Sequence, residues 1–450
     1  MPDTQIESIK TELEQLIADK NWKVIQQRLA SWHEAEVADL IDELNKADRI
    51  LVFRTLPRAQ AARVFAYLDA EHQNSLIHQL TDEDTRHILA NLSPDDRTAL
   101  LEELPAQLTH KLMRLLNPED LAEARQLLGY PEDSVGRLMT PDYVEVRPDM
   151  TIAEALESIR QQGRDSETLN MVYVTDEHDL LLDALRLRRF ITARPEQKVR
   201  DLMDNKYIAL SAFDEQAKAV ETIQRYDVFA IPVVDSEGYL LGIVTVDDVL
   251  DVAEEEATED IQRGAAVTPL DRPYTLASPR FLIQRRVGWL TILVFVNLIS
   301  VGVIASYEEH LGTFIALAFF MPLLIASGGN AGAQSATLVV RALATGDLEI
   351  NLLGKAIGKE IIVGIGLGVV LGVLSSFLGS FRGGMEIGLI VGLSMFCIIL
   401  VANLLGVILP FALTRCKLDP AMASSPLITS IMDAIGLLIY FTIAAKVLGF

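Results

Sequence analysis

Residues 40–117 carry an apolar pattern that repeats every 12 residues. Each repeat has two adjacent apolar residues and then, three positions later, a leucine, so all three fall on one helical face. A capping or helix-breaking residue follows each leucine, as Asn45 and Pro57 do. Because such short helices cannot bury their apolar faces alone, the pattern predicts an all-α superhelical solenoid over residues 1–129. The repeating leucines are Leu44, Leu56, Leu68, Leu80, Leu92, Leu104 and Leu116.

After residue 130 the apolar positions form short continuous runs. The runs Asn170–Val174 and Ala230–Val234 are typical of buried strands, and each follows an amphipathic helical stretch and precedes an acidic turn. The same β-α-β-β-α order occurs twice, about 60 residues apart. The pattern predicts an α/β domain at residues 130–250, with two copies at about 136–195 and 198–250.

A densely acidic stretch, Asp247–Gln262, follows the second copy and has the composition of a helix, with no glycine or proline before Gly264. One interpretation is a solvated linker helix. However, like charges one turn apart destabilise an isolated helix, so this density indicates a cation nearby. We predict an acidic linker at residues 251–279.

The rear of the chain holds apolar stretches long enough to cross a bilayer. Arg285 and Arg286 precede the first stretch, Arg341 follows the second and Arg415 follows the fourth. Positive residues mark the cytosolic side, so we expect a cytosolic N-terminus and an outside C-terminus. Residues 280–450 are therefore predicted to form a five-helix transmembrane domain in a multi-pass protein. The five predicted spans are about 288–305, 313–340, 361–380, 387–413 and 426–449.

The charge of the chain is concentrated in its front part. Residues 1–279 carry 29 Lys and Arg against 54 Asp and Glu, whereas residues 280–450 carry 10 against 8. Such a negative field attracts cations and repels nucleic acid, which we exclude as a partner. The two cysteines, Cys397 and Cys416, form neither a disulfide framework nor a clustered metal site.

Asp433 lies well inside the fifth predicted span, among apolar residues. A carboxylate there costs about 3 kcal/mol on insertion scales, so it should face water, an ion or a partner group. The alternative is a protonated or helix-capping aspartate at the membrane interface. We favour an ion site in a pore.

The second span contains Gly328, Gly329 and Gly332 beside Asn330 and other polar residues. One interpretation is that the helix opens locally at the glycines and presents carbonyl oxygens to a cavity. The other is close helix packing through small residues. Together with Asp433, the first interpretation predicts a pore site that uses Gly328, Gly329 and Asn330.

Mg²⁺ dehydrates reluctantly and prefers one or two carboxylates plus retained waters, which suits a lone aspartate among neutral oxygens. The spans have no Cys or His cluster that would favour a transition metal. Ca²⁺, Mn²⁺ and Co²⁺ remain open on this reasoning.

The order of these parts closely resembles the MgtE family of Mg²⁺ channels, and the paired α/β copies resemble tandem CBS domains. The resemblance covers essentially the whole chain. Its most specific segments are Met321–Leu343, the segment around Asp433, and Thr245–Asp251 continuing into Glu256–Asp260.

The resemblance implies a homodimer in the cell (inner) membrane, with Asp433 from both chains around one hydrated Mg²⁺ ion. It also implies that the acidic linker is a plug helix and that inhibitory Mg²⁺ ions bind among the sensor domains and this helix. Carried over by position, the regulatory metal ligands are Asp95, Glu215, Asp227, Asp248, Asp251, Glu256, Glu259, Asp260 and Asp419.

Three departures from the family pattern bear on function. Arg63 replaces an acid that some relatives use in the solenoid, which predicts a weak or missing ion there. Ala333 occupies a position that is polar in many relatives. Arg189 replaces the acid that would hold a nucleotide ribose in the first CBS copy, which argues against ATP binding, although Arg188 is a candidate for phosphate contact.

We therefore expect a Mg²⁺ channel or transporter, not an enzyme, that imports Mg²⁺ and is closed by cytosolic Mg²⁺. Membrane lipid and divalent cations are its expected partners. The alternative is a membrane-anchored ion or nucleotide sensor that transports nothing.

Overall fold

The computed structural model describes residues 12–104, 106–164, 166–270, 274–275, 277–309 and 314–449. The chain divides into two compact units, Met1–Glu254 and Glu255–Phe450.

Helices that begin at 12-residue intervals fill the first part of the Met1–Glu254 unit. Most of the repeating leucines are buried in one apolar core, whereas Leu80 and Leu116 are partly buried against it. Asn45 caps its helix by accepting from the backbone N–H groups of Ala47 and Asp48. The predicted solenoid of stacked helices is confirmed. Its helices are α1 (Trp22–Leu29), α2 (Glu34–Asp42), α3 (Lys46–Thr55), α4 (Arg58–Ala66), α5 (Ala70–Ile77), α6 (Asp82–Leu89), α7 (Pro94–Glu103), α8 (Ala106–Met113) and α9 (Pro118–Leu127).

Two three-stranded sheets follow, and both have the same topology. In each, a short first strand pairs in parallel with the second, which pairs antiparallel with the third. The predicted duplicated α/β order is confirmed. The elements are α10 (Val135–Leu138), β1 (Glu145–Val146), α11 (Ile152–Gln162), β2 (Met171–Thr175), β3 (Leu181–Arg186), α12 (Leu187–Thr192), β4 (Leu210–Ser211), α13 (Gln216–Tyr226), β5 (Ala230–Val234) and β6 (Leu240–Thr245).

The acidic stretch forms one helix, α14 (Val246–Gly264), which starts directly after β6. The predicted helix at residues 247–262 is confirmed. Its acidic first turn places Asp247 and Asp248 at the positive end of the helix dipole, where carboxylates are favoured.

Four helices in the described part of the second unit are long and apolar enough to cross a membrane. They are α15 (Pro279–Ser306), α16 (Ala316–Ala344), α17 (Leu353–Arg415) and α18 (Ser425–Leu448).

Helix α17 has 63 residues, far more than the roughly 20 that one span needs. Its backbone leaves helical geometry at Gly384, where φ is +82°, a value that glycine adopts without strain. The predicted third and fourth spans lie on either side of this break.

Helix α15 begins at Pro279, nine residues before the predicted first span, because its arginine-rich start is also helical. The predicted start of the second span at residue 313 lies outside the described residues.

Candidate functional site

Two pairs of adjacent aspartates lie close together in the Met1–Glu254 unit, each in the first turn of a helix. Asp95 and Asp96 begin α7, and Asp247 and Asp248 begin α14. The side chain of Asp95 is only 8% exposed, and its Oδ1 atom has no hydrogen-bond partner among the described residues. The Thr245 hydroxyl donates to the Asp248 carboxylate at 2.6 Å.

The proximity of these acids alters their protonation. Burial, and then the charges of Asp95, Asp247 and Asp96, raise the pKa of Asp248 to about 8. Burial also raises the pKa of Asp95 to about 6, with a contribution from Asp96. Carboxylates this crowded gain from any divalent cation that neutralises them.

Glu167 belongs to the same cluster. Burial and the charges of Asp95, Asp247, Asp96 and Asp142 raise its pKa to about 7. We call Asp95, Asp96, Asp142, Glu167, Asp247 and Asp248 the sensor cluster.

The structure thus brings together two predicted ligands, Asp95 and Asp248, and adds four acids that the sequence analysis missed. Asp96 and Asp247 are adjacent in sequence to the predicted ligands Asp95 and Asp248, and this adjacency could have identified them. Glu167 and Asp142 lie in loops and belong to no motif, so no signal in the sequence pointed to them.

Asp251 lies at the edge of the sensor cluster, where partial desolvation and the charges of Asp247 and other acids raise its pKa. Glu215 and Asp227 lie at opposite ends of α13, about 18 Å apart at 1.5 Å per residue. Both are exposed. The structure does not bring these two predicted ligands together within one chain.

A second acidic group lies in the Glu255–Phe450 unit. Burial and then neighbouring acids raise the pKa of Glu256, and burial and then Asp419 raise the pKa of Asp260. Arg263, which the sequence analysis missed, donates to Glu259 at 2.6 Å and to Asp419 at 2.7 Å. The Arg263 guanidinium therefore lies between two predicted metal ligands and supplies a positive charge there.

Helix α16 stays helical through its glycines, so the expectation that it opens there is wrong. A Cβ atom on Gly328 would lie 2.5 Å from Ile398, and one on Gly329 would lie 2.9 Å from Thr429. The glycines are buried because neighbouring helices approach closely, which favours the packing interpretation and keeps the backbone groups paired within the helix. A contribution of the Gly328 and Gly329 carbonyl oxygens to a pore stays a prediction.

The polar residues of α16 lie on a different face from its packed glycines. Asn330, Gln334 and Thr337 line an open cavity of about 480 Å³, together with Ala333 and Leu338. Ala333, at the position that is polar in many relatives, therefore faces this cavity.

Asp433 is half-buried, and its Oδ1 atom has no hydrogen-bond partner in the part of the chain that the structure describes. It lies one turn beyond Thr429, the residue that packs against Gly329. An unpaired carboxylate atom in an apolar helix calls for a cation or water.

Glu360 is a further acid that the sequence analysis missed. The Ser335 hydroxyl lies 3.2 Å from its carboxylate and 3.1 Å from the Asn403 carbonyl oxygen. The predicted third span began at residue 361, which placed this carboxylate outside it.

A cavity of about 290 Å³ lies in the CBS-like region, lined by Asn170, Met171, Arg186, Leu187, Arg188, Ile191 and Phe229. Arg188, which was predicted to contact a nucleotide phosphate, is among them. Arg189 instead pairs with the Asp204 carboxylate at 2.9 Å and donates to the Leu202 carbonyl oxygen.

Arg63, at the solenoid position where some relatives have an acid, forms a 2.8 Å ion pair with Glu34.

Three family models match the chain. They are described as the MgtE intracellular N domain at residues 32–133, the CBS domain at residues 135–195 and 199–255, and a divalent cation transporter at residues 321–443.

Named relatives match nearly the whole chain. A magnesium transporter MgtE of Thermus thermophilus is 39% identical, over 98% of this chain and 99% of the relative. That of Bacillus subtilis is 35% identical, over 90% of this chain and 92% of the relative. A solved structure of the cytosolic domain of the Mg²⁺ channel MgtE in complex with ATP is 36% identical, with a TM-score of 0.52, covering 54% of this chain and 99% of its own.

Close helix packing predicts the effect of a single methyl group at Gly406. A Cβ atom there would lie 2.7 Å from the Gly332 carbonyl oxygen, and backbone atoms cannot move aside cheaply. We expect Gly406→Ala to destabilise the membrane unit by about 1–3 kcal/mol, measured as a lower unfolding midpoint in detergent.

Gly366→Ala is the matched control, because nothing lies within 4 Å of its Cβ position. Equal stability of the two variants would contradict the packing described for Gly406.

Proposed function

Because the chain belongs to the MgtE family, we propose that it carries Mg²⁺ across a membrane and closes when cytosolic Mg²⁺ binds its acidic clusters. The observation that supports this most directly is the sensor cluster, where carboxylates from α7 and α14 lie together and one of them, Asp95, is buried. The two named relatives are magnesium transporters, which favours transport over a sensor that moves no ion and over an enzyme.

The proposed membrane domain has five spans. Helix α17 counts as two of them, separated at Gly384, because each arm has about the length of a bilayer crossing. The arginines that start α15 favour the cytosolic side. We place the N-terminus in the cytosol and the C-terminus outside, and we propose a homodimer in the cell membrane.

Permeation in this proposal depends on Asp433. Its unpaired Oδ1 atom and the polar face of Asn330, Gln334 and Thr337 offer oxygen ligands to a cation that keeps its waters. A second copy would supply the other Asp433, so that two carboxylates balance one divalent charge.

Substituting Asp433 with asparagine keeps the size of the side chain and removes its charge. We expect Mg²⁺ influx into proteoliposomes, followed with a Mg²⁺-sensitive dye, to fall by about tenfold or more because the ion loses its carboxylate.

Glu386→Gln is the control, since it makes the same chemical change at an exposed position near the Gly384 break. Influx through Asp433→Asn equal to that through Glu386→Gln would rule out Asp433 as the pore ligand.

Gating in this proposal follows from charge. Without Mg²⁺, the carboxylates of the sensor cluster repel one another and disfavour the contact between α7 and α14. Bound Mg²⁺ stabilises that contact, and a preference of the ion for the closed state shifts the equilibrium toward closure. Glu256, Glu259, Asp260 and Asp419 form a second proposed site, where Mg²⁺ competes with Arg263.

Replacing both Asp248 and Asp251 with alanine removes two carboxylates at the sensor cluster. We expect this variant to keep conducting at cytosolic Mg²⁺ concentrations that close the wild type, because the closed state loses bound ions. Influx would be measured with Mg²⁺ titrated on the sensor side.

A variant with Asp39→Ala and Glu221→Ala loses the same charge at exposed positions elsewhere in the unit. Unchanged inhibition of the Asp248 and Asp251 variant would overturn the assignment of these residues.

Mg²⁺ sensing should also depend on pH. The pKa values of Asp248 and Glu167 are raised to about 8 and about 7, so both acids are largely protonated at pH 6 and must release protons to bind a cation. Without metal, the protonated acids stabilise the fold at low pH, and this contribution is lost as the pH rises toward 8.

We therefore expect the Mg²⁺ concentration for half-inhibition to fall as the pH rises from about 6 to about 8, with proton release on Mg²⁺ binding in calorimetry. Asp248→Asn should flatten this dependence. A pH-independent Mg²⁺ response would contradict the role of the cluster.

The solved ATP complex of a relative also favours nucleotide binding. We propose that Arg186 and Arg188 contact the phosphates of the nucleotide in the 290 Å³ cavity. Arg189 cannot supply the ribose contact of an acid, because it carries the wrong charge and is paired with Asp204.

A further inference from the structure

A histidine and two aspartates meet in the solenoid, away from both acidic groups described above. One oxygen from each of Asp42 and Asp69 and one nitrogen of His72 all lie within 4.8 Å of one another. Asp42 is the last residue of α2, Asp69 is the N-cap of α5, and His72 lies in the first turn of α5. The 12-residue repeat therefore brings together two helix ends that are distant in sequence.

The donor atoms of Asp42 and His72 face inward. Asp42 Oδ1 and His72 Nδ1 form a 2.6 Å ion pair, and both atoms are almost inaccessible to solvent. Asp69 is exposed, and its carboxylate does not cap α5, although it stands at the N-cap position. An N-cap side chain usually accepts hydrogen bonds from the first backbone N–H groups of its helix. The Asp69 carboxylate does not, so it is available to the cluster.

The charges of the cluster favour a cation. Asp42 stands at the C-terminal end of α2, where the helix dipole disfavours a carboxylate. Arg49 donates to the carbonyl oxygens of Ile41, Asp42 and Leu44, so its hydrogen bonds go to the backbone. A protonated His72 would balance only one of the two carboxylates.

We propose that Asp42, Asp69 and His72 bind one divalent transition-metal ion of the Zn²⁺, Co²⁺ or Ni²⁺ class. Imidazole nitrogen with carboxylate oxygen suits these ions, whereas Mg²⁺ selects oxygen ligands. Three protein ligands leave a position for water. The site ties α2 to α5 within the solenoid and does not depend on the proposed transport function.

Full-length protein in detergent would be titrated with Co²⁺ in a large excess of Mg²⁺, which occupies sites made of oxygen ligands alone. We expect one Co²⁺ per chain to remain bound, with the intense visible absorption of a low-coordinate site and a raised unfolding midpoint. His72→Ala should abolish this binding. His78→Ala should retain it, because His78 is an exposed residue at the other end of α5.

Asp69→Asn is the second test variant. Because Asp69 is exposed, this change spares the fold, and it should weaken Co²⁺ binding by about tenfold or more through the loss of one charged ligand. Equal Co²⁺ binding by wild type, His72→Ala and Asp69→Asn in excess Mg²⁺ would overturn the site, as would its loss in His78→Ala alone.

Discussion

Repulsion between carboxylates held together by the fold is the constraint on which the Met1–Glu254 unit of this chain depends. The first turns of α7 and α14 place two aspartates each at one location, and Glu167 and Asp142 add to them. Helix dipoles favour acids at these positions but do not remove the repulsion among them. The sensor cluster is therefore stable with protons or with a divalent cation, and a change in either alters the balance.

In the second acidic group, a positively charged side chain, Arg263, holds the acids together. It bridges Glu259 on its own helix and Asp419, 156 residues further along the chain, so that this acidic group carries its own positive charge. A divalent ion at this group must displace or accommodate a guanidinium, whereas at the sensor cluster it competes mainly with protons. The two proposed sites should therefore differ in their dependence on pH and on Mg²⁺ concentration.

In the membrane unit, the constraint is space. Gly328, Gly329, Gly332 and Gly406 let α16, α17 and α18 approach so closely that an added methyl group meets backbone or side-chain atoms. This packing fixes the glycine face of α16 and leaves its polar face, with Asn330, lining a cavity. Within one segment of α16, the small residues therefore form the packed face and the polar side chains form the face that lines the cavity.

The sequence by itself determined the elements that depend on local periodicity. The 12-residue ladder of leucines predicted the solenoid helices, the apolar runs predicted the duplicated sheets, and the acidic run predicted α14, because a helix or strand buries one face according to its own period. The lone carboxylate in an apolar span pointed to Asp433, and the family resemblance then supplied Asp95 and Asp248 as candidate ligands.

Only the tertiary structure decided which side chains meet. Glu167 joins the sensor cluster from a loop, Arg263 reaches Asp419, and Asp42 meets His72 across two helix ends. It also decided that the glycines of α16 pack instead of opening the helix. These contacts join residues far apart in the chain, and a sequence period carries no information about the distance between elements that it does not itself connect.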